Sequence, residues 1–590
     1  MENTPKLQPG LTMKLFKEKA DMALDEIFSH FPPPRILTFP QYLTYYVASF
    51  INDSTKSKHN VSIIPMNNIP DIDYDGSMFF VTTADTDSIN QIIFTFNKVK
   101  KFDKVVLVIP RVTELIQYTF SQTGYNINTT QILYKKDLDP TQVYLYDFAA
   151  DFLPMGDDFF LLPSINSFYK ISILSDYEDI YNSAKALFSI ENVFGNIPHI
   201  MCAGINALRV QQVLSQFHST PSKVQIEIPQ IDSLIIIDRC VDLVTPLTTE
   251  LSIEGIINAA FDIQYSKVNP NIENINSPVI LKEHDEVFRT IRMMSFNRMI
   301  NYTKKFQELI EEKAREIKQD GAMLHRQGNF GKKYEEAMHL VEDLTIKLEN
   351  FFKISNEGLR KLKQKTPAFE EIYTKEFQLI QDFQTSVDLP ENLVLLYNDW
   401  ANALRLICLQ SVCGFKKMGY NDTTKIMSEI INEFGLEKAR EGLLNLDKIR
   451  FLSNAEFDVS LAECLYKLDI FGPVDKDNNP TDSCGTAFGG YVPPSVRFVQ
   501  KFTNGEIDQL VQDFSEKIKI AEFGKSIERE HGDQRRIIVF FVGGLTLTEA
   551  GTIRNIGRTL YNGEVEYIVG GTDKISYNTF LQQLCPFLRD

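Results

Sequence analysis

IDSLIIIDRCVDLVTPLTTELSIEGIINAAFDI, residues 231–263, is the stretch on which the reading of this chain turns. Leu234–Asp238 is an apolar run without alternation, which is what a strand covered on both faces of a parallel sheet requires. Asp238 and Arg239 follow at its C-terminal end, where an α/β enzyme often keeps a catalytic carboxylate. No second carboxylate motif and no set of metal ligands lies nearby. The two residues therefore read as a structural ion pair that closes the strand end and anchors the next segment.

Working outward, the first 140 residues alternate helix-like and strand-like patterns. Leu11–Ile27 repeats apolar residues at helical spacing, and Arg35–Phe39, Val61–Ile64, Met78–Thr82 and Val105–Ile109 are short β-forming runs. Val112–Phe120 resumes a helical period, so an α/β domain with a mostly parallel sheet is expected. Thr141–Phe152 and Asp158–Leu162 read as the start of a new region, followed by a helix over Asp176–Phe188. Beyond the quoted stretch, Glu286–Leu362 reads as two long helices separated by a loop with Gly321, Gly328 and Gly331. Tyr334, Ala337, Val341, Leu344, Leu348 and Phe351 recur at steps of three and four, an a/d seam. Arms of about 30 residues would reach about 45 Å. Glu391–Ile449 is a second helical block opened by Pro390, and Pro473–Pro494 a Gly/Pro-rich connector. Arg536–Val542 and Val565–Val569 read as strands, each ending in Gly-Gly. The expected organisation is an α/β domain at 1–140, a second discontinuous α/β domain at 141–245 and 470–590, and inserted helical parts at 246–378 and 379–469.

Composition narrows the function. The 590 residues carry 43% hydrophobic and 24% charged side chains, as an ordinary folded protein does, and a formal net charge of −17. That charge argues against nucleic acid, which needs a Lys/Arg-rich face. The longest apolar runs are about one strand long, so no membrane-inserting segment is expected and membrane association is expected through partners. Seven scattered cysteines without CxxC spacing suit a reducing cytoplasm.

Motifs of chemistry are mostly missing. VGGLTLTEAGTIR lacks the glycine spacing of a dinucleotide fingerprint, and Gly524-Lys525-Ser526 has Lys519 where a P-loop needs its first glycine, with no strand apparent ahead of it. The eight histidines form no HExxH or HxH, and no GxSxG elbow occurs. His284 and His531 lie in charged runs, and His339 reads as a half-exposed helical residue rather than a pH switch. No catalytic residue, metal or cofactor is expected.

The quoted stretch resembles the signature of the SM (Sec/Munc) family: a hydrophobic strand, Asp-Arg (Asp238, Arg239), Asp-x-Val-Thr-Pro-Leu (Asp242 to Leu247, with Pro246), then Leu-Ser-Ile-Glu-Gly opening a helix. The last two elements are in the form seen in the vacuolar protein-sorting 33 branch. LVIPR (107–111), SIENVFGNIPHIMCAG (189–204), LRLICLQSVC (404–413), GGYVPPSVRFVQ (489–500) and VFFVGGLTLTEAGTIRNI (539–556) resemble further family segments in order. FPQYLTYYVASF (39–50) departs from the family's first domain.

The resemblance implies the SM-family arch, an α/β-plus-α fold in which two α/β domains flank a long helical third domain inserted in the second. It implies a non-enzymatic role: binding SNARE proteins of Qa and R type, templating their assembly for membrane fusion, and joining the HOPS or CORVET tethering complexes through a vacuolar sorting 16-type subunit. The place would be cytoplasmic, peripheral on late endosome, lysosome or vacuole membranes. Candidate SNARE anchors on the helical hairpin are Phe296, Ile300, Phe306, Leu340, Leu344, Leu348 and Phe351, and candidate tether contacts are Leu406, Leu409, Phe434 and Leu443. Rival readings are an α/β enzyme with a nucleotide cleft, and a structural tether subunit that binds no SNARE.

Overall fold

A computed structural model of the chain describes residues 13–51, 53–71, 74–83, 86–129, 139, 141–148, 150–219, 229–264, 266–281, 285–306, 308, 312, 315, 330–381, 394, 398–413, 420–452, 467–474, 480–527 and 533–589. It divides into two compact units, Met1–Ile165 with Ile180–Val193 and Val213–Val224, and Asn166–Asp179 with Phe194–Gln212 and Gln225–Asp590.

The first unit holds helix α1 (Lys14–His30), strands β1 (Arg35–Thr38), β2 (Val61–Ile63) and β3 (Gly76–Thr83), helix α2 (Thr86–Phe96), strand β4 (Phe102–Ile109), helix α3 (Glu114–Ser121) and strands β5 (Asn126–Asn128) and β6 (Gln142–Asp147). The six strands form a sheet of order β2-β1-β3-β4-β6-β5, parallel at every step. Every residue of β4 is buried, because helices cover both faces of a parallel sheet. Ile89, Ile92 and Phe96 of α2 and Ile116 and Phe120 of α3 pack on Met78, Phe80, Val106 and Val108. Each such burial contributes about 1.5–3 kcal/mol. The expected boundary at residue 140 is corrected here. β6 pairs with β4, Lys104 opposite Val143, so the first sheet runs through Asp147.

In the second unit β7 (His199–Ala203), β8 (Ser233–Asp238), β9 (Ile520–Gly524), β10 (Arg535–Val542) and β11 (Val565–Gly571) pair in the order β9-β7-β8-β10-β11. All pairings are parallel except β9 with β7, which is antiparallel. β8 is buried throughout, with Ser233 opposite Ile537 and Leu234 opposite Ile200. The strand β9 precedes Gly524-Lys525-Ser526, where none was expected. It is an edge strand with an exposed outer half, so its sequence, IAEFG, lacks the apolar run that marks a buried one.

The helices of this unit that bear on the site are α4 (Ile253–Phe261), α5 (Glu286–Ile291), α6 (296–306), α7 (Phe330–Lys365), α8 (Phe369–Gln381), α9 (Trp400–Cys413), α10 (Tyr420–Phe434), α11 (Leu436–Lys448), α12 (Pro494–Thr503) and α13 (Leu547–Thr559). The first arm of the expected hairpin is interrupted. The carbonyls of Arg292 and Met294 accept N–H bonds from Glu254 and Ile253 at the start of α4, so they are drawn away from a continuous helix and α5 turns into α6. Gly331 lies inside α7, not in a loop, while Gly321, Gly328, His284, His531 and Pro390 lie outside the described residues. At 1.5 Å per residue, α7 is about 54 Å long.

Candidate functional site

The signature stretch is the point at which the elements of the second unit are tied together. Asp238 ends β8 with its side chain accepting from the N–H groups of Cys240 (3.0 Å) and Asn206 (2.9 Å). Burial pushes its carboxyl above the usual range, against those two donors. Gly204 lies against it at φ +100°, where a Cβ would come within 2.3 Å of the Asp238 Cβ, so only glycine fits this approach.

Arg239 turns the other way. Its fully buried guanidinium donates to both oxygens of Glu549 (3.0 and 2.9 Å) on α13, lies 3.2 Å from Asp242, and donates through Nε to the Asp242 carbonyl. Burial alone would depress it, but Glu549 and Asp242 outweigh that and hold it above its usual value. The pairing therefore differs from the expected one: Asp238 caps backbone, and the ion pairs run from Arg239 to Asp242 and Glu549. Asp242 also accepts from Thr245 Oγ1 (2.6 Å) and from the Ser495 N–H (3.2 Å) on α12. Thr245 meets Tyr491 Oη at 3.2 Å, and the adjacent Pro246 is buried.

The same stretch reaches the helical part. Thr249 donates through N and Oγ1 to the two oxygens of Glu376 on α8, each at 2.8 Å. Glu376 pairs with Arg405 on α9, which also donates to the Leu247 carbonyl at 2.9 Å. Glu254, the acid of the Leu-Ser-Ile-Glu-Gly segment, accepts a two-pronged pair from Arg292 at 2.8 and 2.9 Å, just ahead of α6. One 17-residue span thus holds two sheet-flanking helices and three helices of the inserted part in register through buried, charge-assisted bonds.

The chemistry a nucleotide cleft would need is already in use. The N–H groups of Gly543 and Gly544 donate to Thr572 Oγ1 at 3.0 Å each, and the N-terminus of α13 is closed by a capping box of Thr546 and Glu549. Lys525 donates its N–H to the Pro198 carbonyl at 3.2 Å. A Ser–His–Glu alignment occurs at Ser233, His199 and Glu522 (3.0 and 2.6 Å). Ser233 is fully buried in β8, so no substrate reaches its hydroxyl. Among the described residues no group of three or more His, Cys, Asp or Glu could hold a metal ion, and no helix is long and apolar enough to cross a membrane.

The hairpin residues separate into two classes. Leu348 and Phe351 are 2% and 4% exposed, and Phe351 stacks on Phe288 with centroids 5.4 Å apart. Phe296 is half-buried and stacks on Phe352 (6.1 Å), and Phe306 stacks on Tyr302 (5.8 Å). Ile300 and Leu344 are half-buried, the side chain of Leu340 is outside the described residues, and Ile346 is 52% exposed. Below Leu348, α7 seats on α4, with Gly358 against Ala260 and Phe261. In the second helical block Leu406, Leu409 and Leu443 are buried, and Phe434 packs between Trp400 (5.9 Å) and Phe587 (4.8 Å). Those four stabilise the block itself. Among the described residues of the block, the exposed large apolar side chains are Leu436 and Leu444 on α11. His339 is exposed, 4.0 Å from Glu342.

Sequence reasoning missed Glu376, Arg405, Arg292, Tyr491 and Glu549. The capping-box spacing of Thr546 and Glu549 was a readable local signal, but nothing local tells which cation meets the glutamate.

A profile of the Sec1 family matches residues 35–583. The chain belongs to the Sec1 family. Its relatives include vacuolar protein sorting-associated protein 33A of Rattus norvegicus, 25% identical over 497 residues (76% of this chain, 78% of the relative), and the vacuolar protein-sorting-associated protein 33 homolog of Arabidopsis thaliana, 23% identical over 445 residues (70% and 72%). Solved structures of the same fold are the SM protein Vps45 in complex with the Qa SNARE Tlg2 (TM-score 0.53, 14% identity, 97% of this chain and 98% of that one) and the Unc18–syntaxin 1 complex from Monosiga brevicollis (TM-score 0.56, 12%, 98% and 100%). The expected SM-type combination of parallel α/β sheets and helices is thus the fold of this Sec1-family chain.

Proposed function

We propose that this Sec1-family chain binds Qa and R SNAREs and templates their assembly, as the SM subunit of a HOPS- or CORVET-type tethering complex on endosomal, lysosomal or vacuolar membranes. The family match across residues 35–583 is the observation that carries the reading, joined by relatives of the sorting-33 type and a fold shared with SM proteins solved with SNAREs. The work is binding rather than catalysis. A rigid helical surface lowers the conformational entropy that SNARE segments lose as they zip, before the bundle repays it.

The template surface is the seam face of α7 above Leu348, with Leu344 as its apolar anchor and Ile300, Phe296 and Phe306 on α6 beside it. Leu348 and Phe351 hold that surface from beneath. The sorting-16-type subunit docks on α11 through Leu436 and Leu444. The test is a pull-down of the full chain with SNARE cytosolic domains and with that subunit. Leu344→Asp with Ile300→Asp abolishes SNARE capture and keeps the subunit, while Leu436→Asp with Leu444→Asp does the reverse. SNARE capture that survives the first pair of changes in a folded protein defeats the template reading and favours a purely structural tether subunit.

A further inference from the structure

The second unit carries a concave site of about 730 Å3 that none of the foregoing uses. Three helices form most of its wall, which Met293, Met294 and Thr486 complete. Arg289 and Thr290 come from α5, Arg298, Asn301, Tyr302 and Lys305 from one face of α6 at spacing i, i+3, i+4, i+7, and Asn555, Arg558 and Thr559 from one face of α13. Four cations converge, and no Asp or Glu is among the lining residues. The sequence pattern agrees: residues 287–307 contain five Arg or Lys and no acid, in a chain that has 78 acids against 61 cations overall. Arg292, one of those five, is held by Glu254, so the remainder are left to the surface. Among the described residues Arg289, Arg298 and Lys305 make no ion pair.

Helix faces of soluble proteins intersperse charges of both signs, since like charges at these spacings repel. A face that concentrates cations in a hollow is relieved when an anion enters it. Three of the four cations are arginines, whose planar forks match phosphate oxygens two at a time. Asn301, Asn555, Thr290, Thr559 and the Tyr302 hydroxyl interleave with them and supply both donors and acceptors, which suits a ligand bearing hydroxyls as well as phosphates. The volume is that of a small-molecule site.

We propose that this site binds a polyol carrying several phosphates, the chemistry shared by soluble inositol polyphosphates and phosphoinositide headgroups. The proposal is separable from the SNARE reading, because none of the lining residues is among the anchors named on α6 and α7, although Phe306 stacks on Tyr302.

The experiment uses the full chain at about 0.15 M salt, where exposed charges are screened beyond about 8 Å. Inositol hexakisphosphate is titrated calorimetrically, and flotation is measured with phosphatidylcholine vesicles with and without phosphatidylinositol bisphosphate. Saturable binding of at least one probe is expected, weakened at least about tenfold by the combined Arg289→Ala, Arg298→Ala and Lys305→Ala changes. Lys56→Ala with Lys58→Ala, cations already paired with Asp53 and Asp25, leaves it unchanged. Thermal unfolding confirms that the triple variant is folded, which its surface positions favour. Binding of the soluble probe alone assigns a free metabolite, and vesicle binding competed by it assigns a lipid headgroup. Absence of binding by both probes overturns the proposal, as does a folded triple variant that binds within about twofold of wild type. Capture of a polyglutamate peptide but neither phosphorylated probe also overturns it, since the hollow is then a protein-docking surface.

Discussion

The signature junction and the α5–α6–α13 hollow lie in one unit and share a helix, α13, yet they treat charge in opposite ways. At the junction Arg239 is enclosed with Glu549 and Asp242, and Arg405 and Arg292 are enclosed with Glu376 and Glu254 in the same way. In the hollow, to which the same helix contributes Arg558, the cations Arg289, Arg298 and Lys305 face solvent with no Asp or Glu among the lining residues. A charge sealed with its partner contributes to architecture, because removing either member strands the other in a medium of low dielectric. A charge left facing solvent costs the fold little and is available to something outside it.

That contrast can be broken or sharpened by substitution. The largest effect is expected from Arg239→Ala, which leaves two buried carboxylates uncompensated. A loss of about 3–5 kcal/mol is expected in denaturant or thermal unfolding, whereas Arg298→Ala in the hollow changes stability by less than about 0.5 kcal/mol. Equal losses at the two sites would erase the distinction. Next comes Leu348→Ala, expected to cost about 2–5 kcal/mol by opening a cavity in the core, against about 1 kcal/mol or less for half-buried Leu344→Ala one turn away. Gly255→Ala is third. Its Cβ would meet the Glu250 Cβ at 2.5 Å, and overpacking of about 1–3 kcal/mol is expected from the same unfolding curves.

A smaller effect is one of pH. Burial pushes Glu250 up to about 8 and Asp573 up to about 7, from ordinary values of 4.5 and 3.8. Between the lower and the upper values the folded chain keeps protons that the unfolded chain has released. Stability is therefore greatest at the acid end of that window and falls as pH rises through it, levelling off above about pH 8. Melting temperature followed from about pH 5 to 9 is expected to decline through these groups, and Glu250→Gln to flatten the slope. A steeper slope in that variant would contradict the assignment. The smallest change is expected from His339→Ala, exposed beside Glu342, within about 0.5 kcal/mol of wild type at any pH in the range.

Much of this fold could be read from residue patterns because its central strands are fully buried. Runs such as Leu234–Asp238 and Val105–Ile109 have no polar alternation to blur them, and the sheets form where those runs predict. The reading failed where burial is one-sided or tertiary contacts override local preference. The edge strand Ile520–Gly524 exposes its outer half, and β6 joined the first sheet although its sequence resembles the start of the next region. The break between α5 and α6 is imposed by the N-terminus of α4, a segment about 40 residues earlier, which no local pattern can announce. The same limit applied to the candidate surface. An a/d seam identifies which residues share a helix face, but Leu344 and Leu348 share it and only one is sealed. Leu406 and Leu409 lie in a segment that matched the family in order, yet their side chains turn inward, as does that of Leu443, because order along the chain carries no information about which way a helix faces.

The bond between Arg239 and Glu549 spans 310 residues. A ribosome adding about 5–20 residues per second needs about 15–60 s to supply the second partner after the first has emerged. Throughout that interval β8 has no β10 to lie against and its arginine has no glutamate, so the nascent second unit presents an apolar strand edge beside an unneutralised cation. Burial of that edge, and neutralisation of Arg239, therefore wait until residue 549 is made.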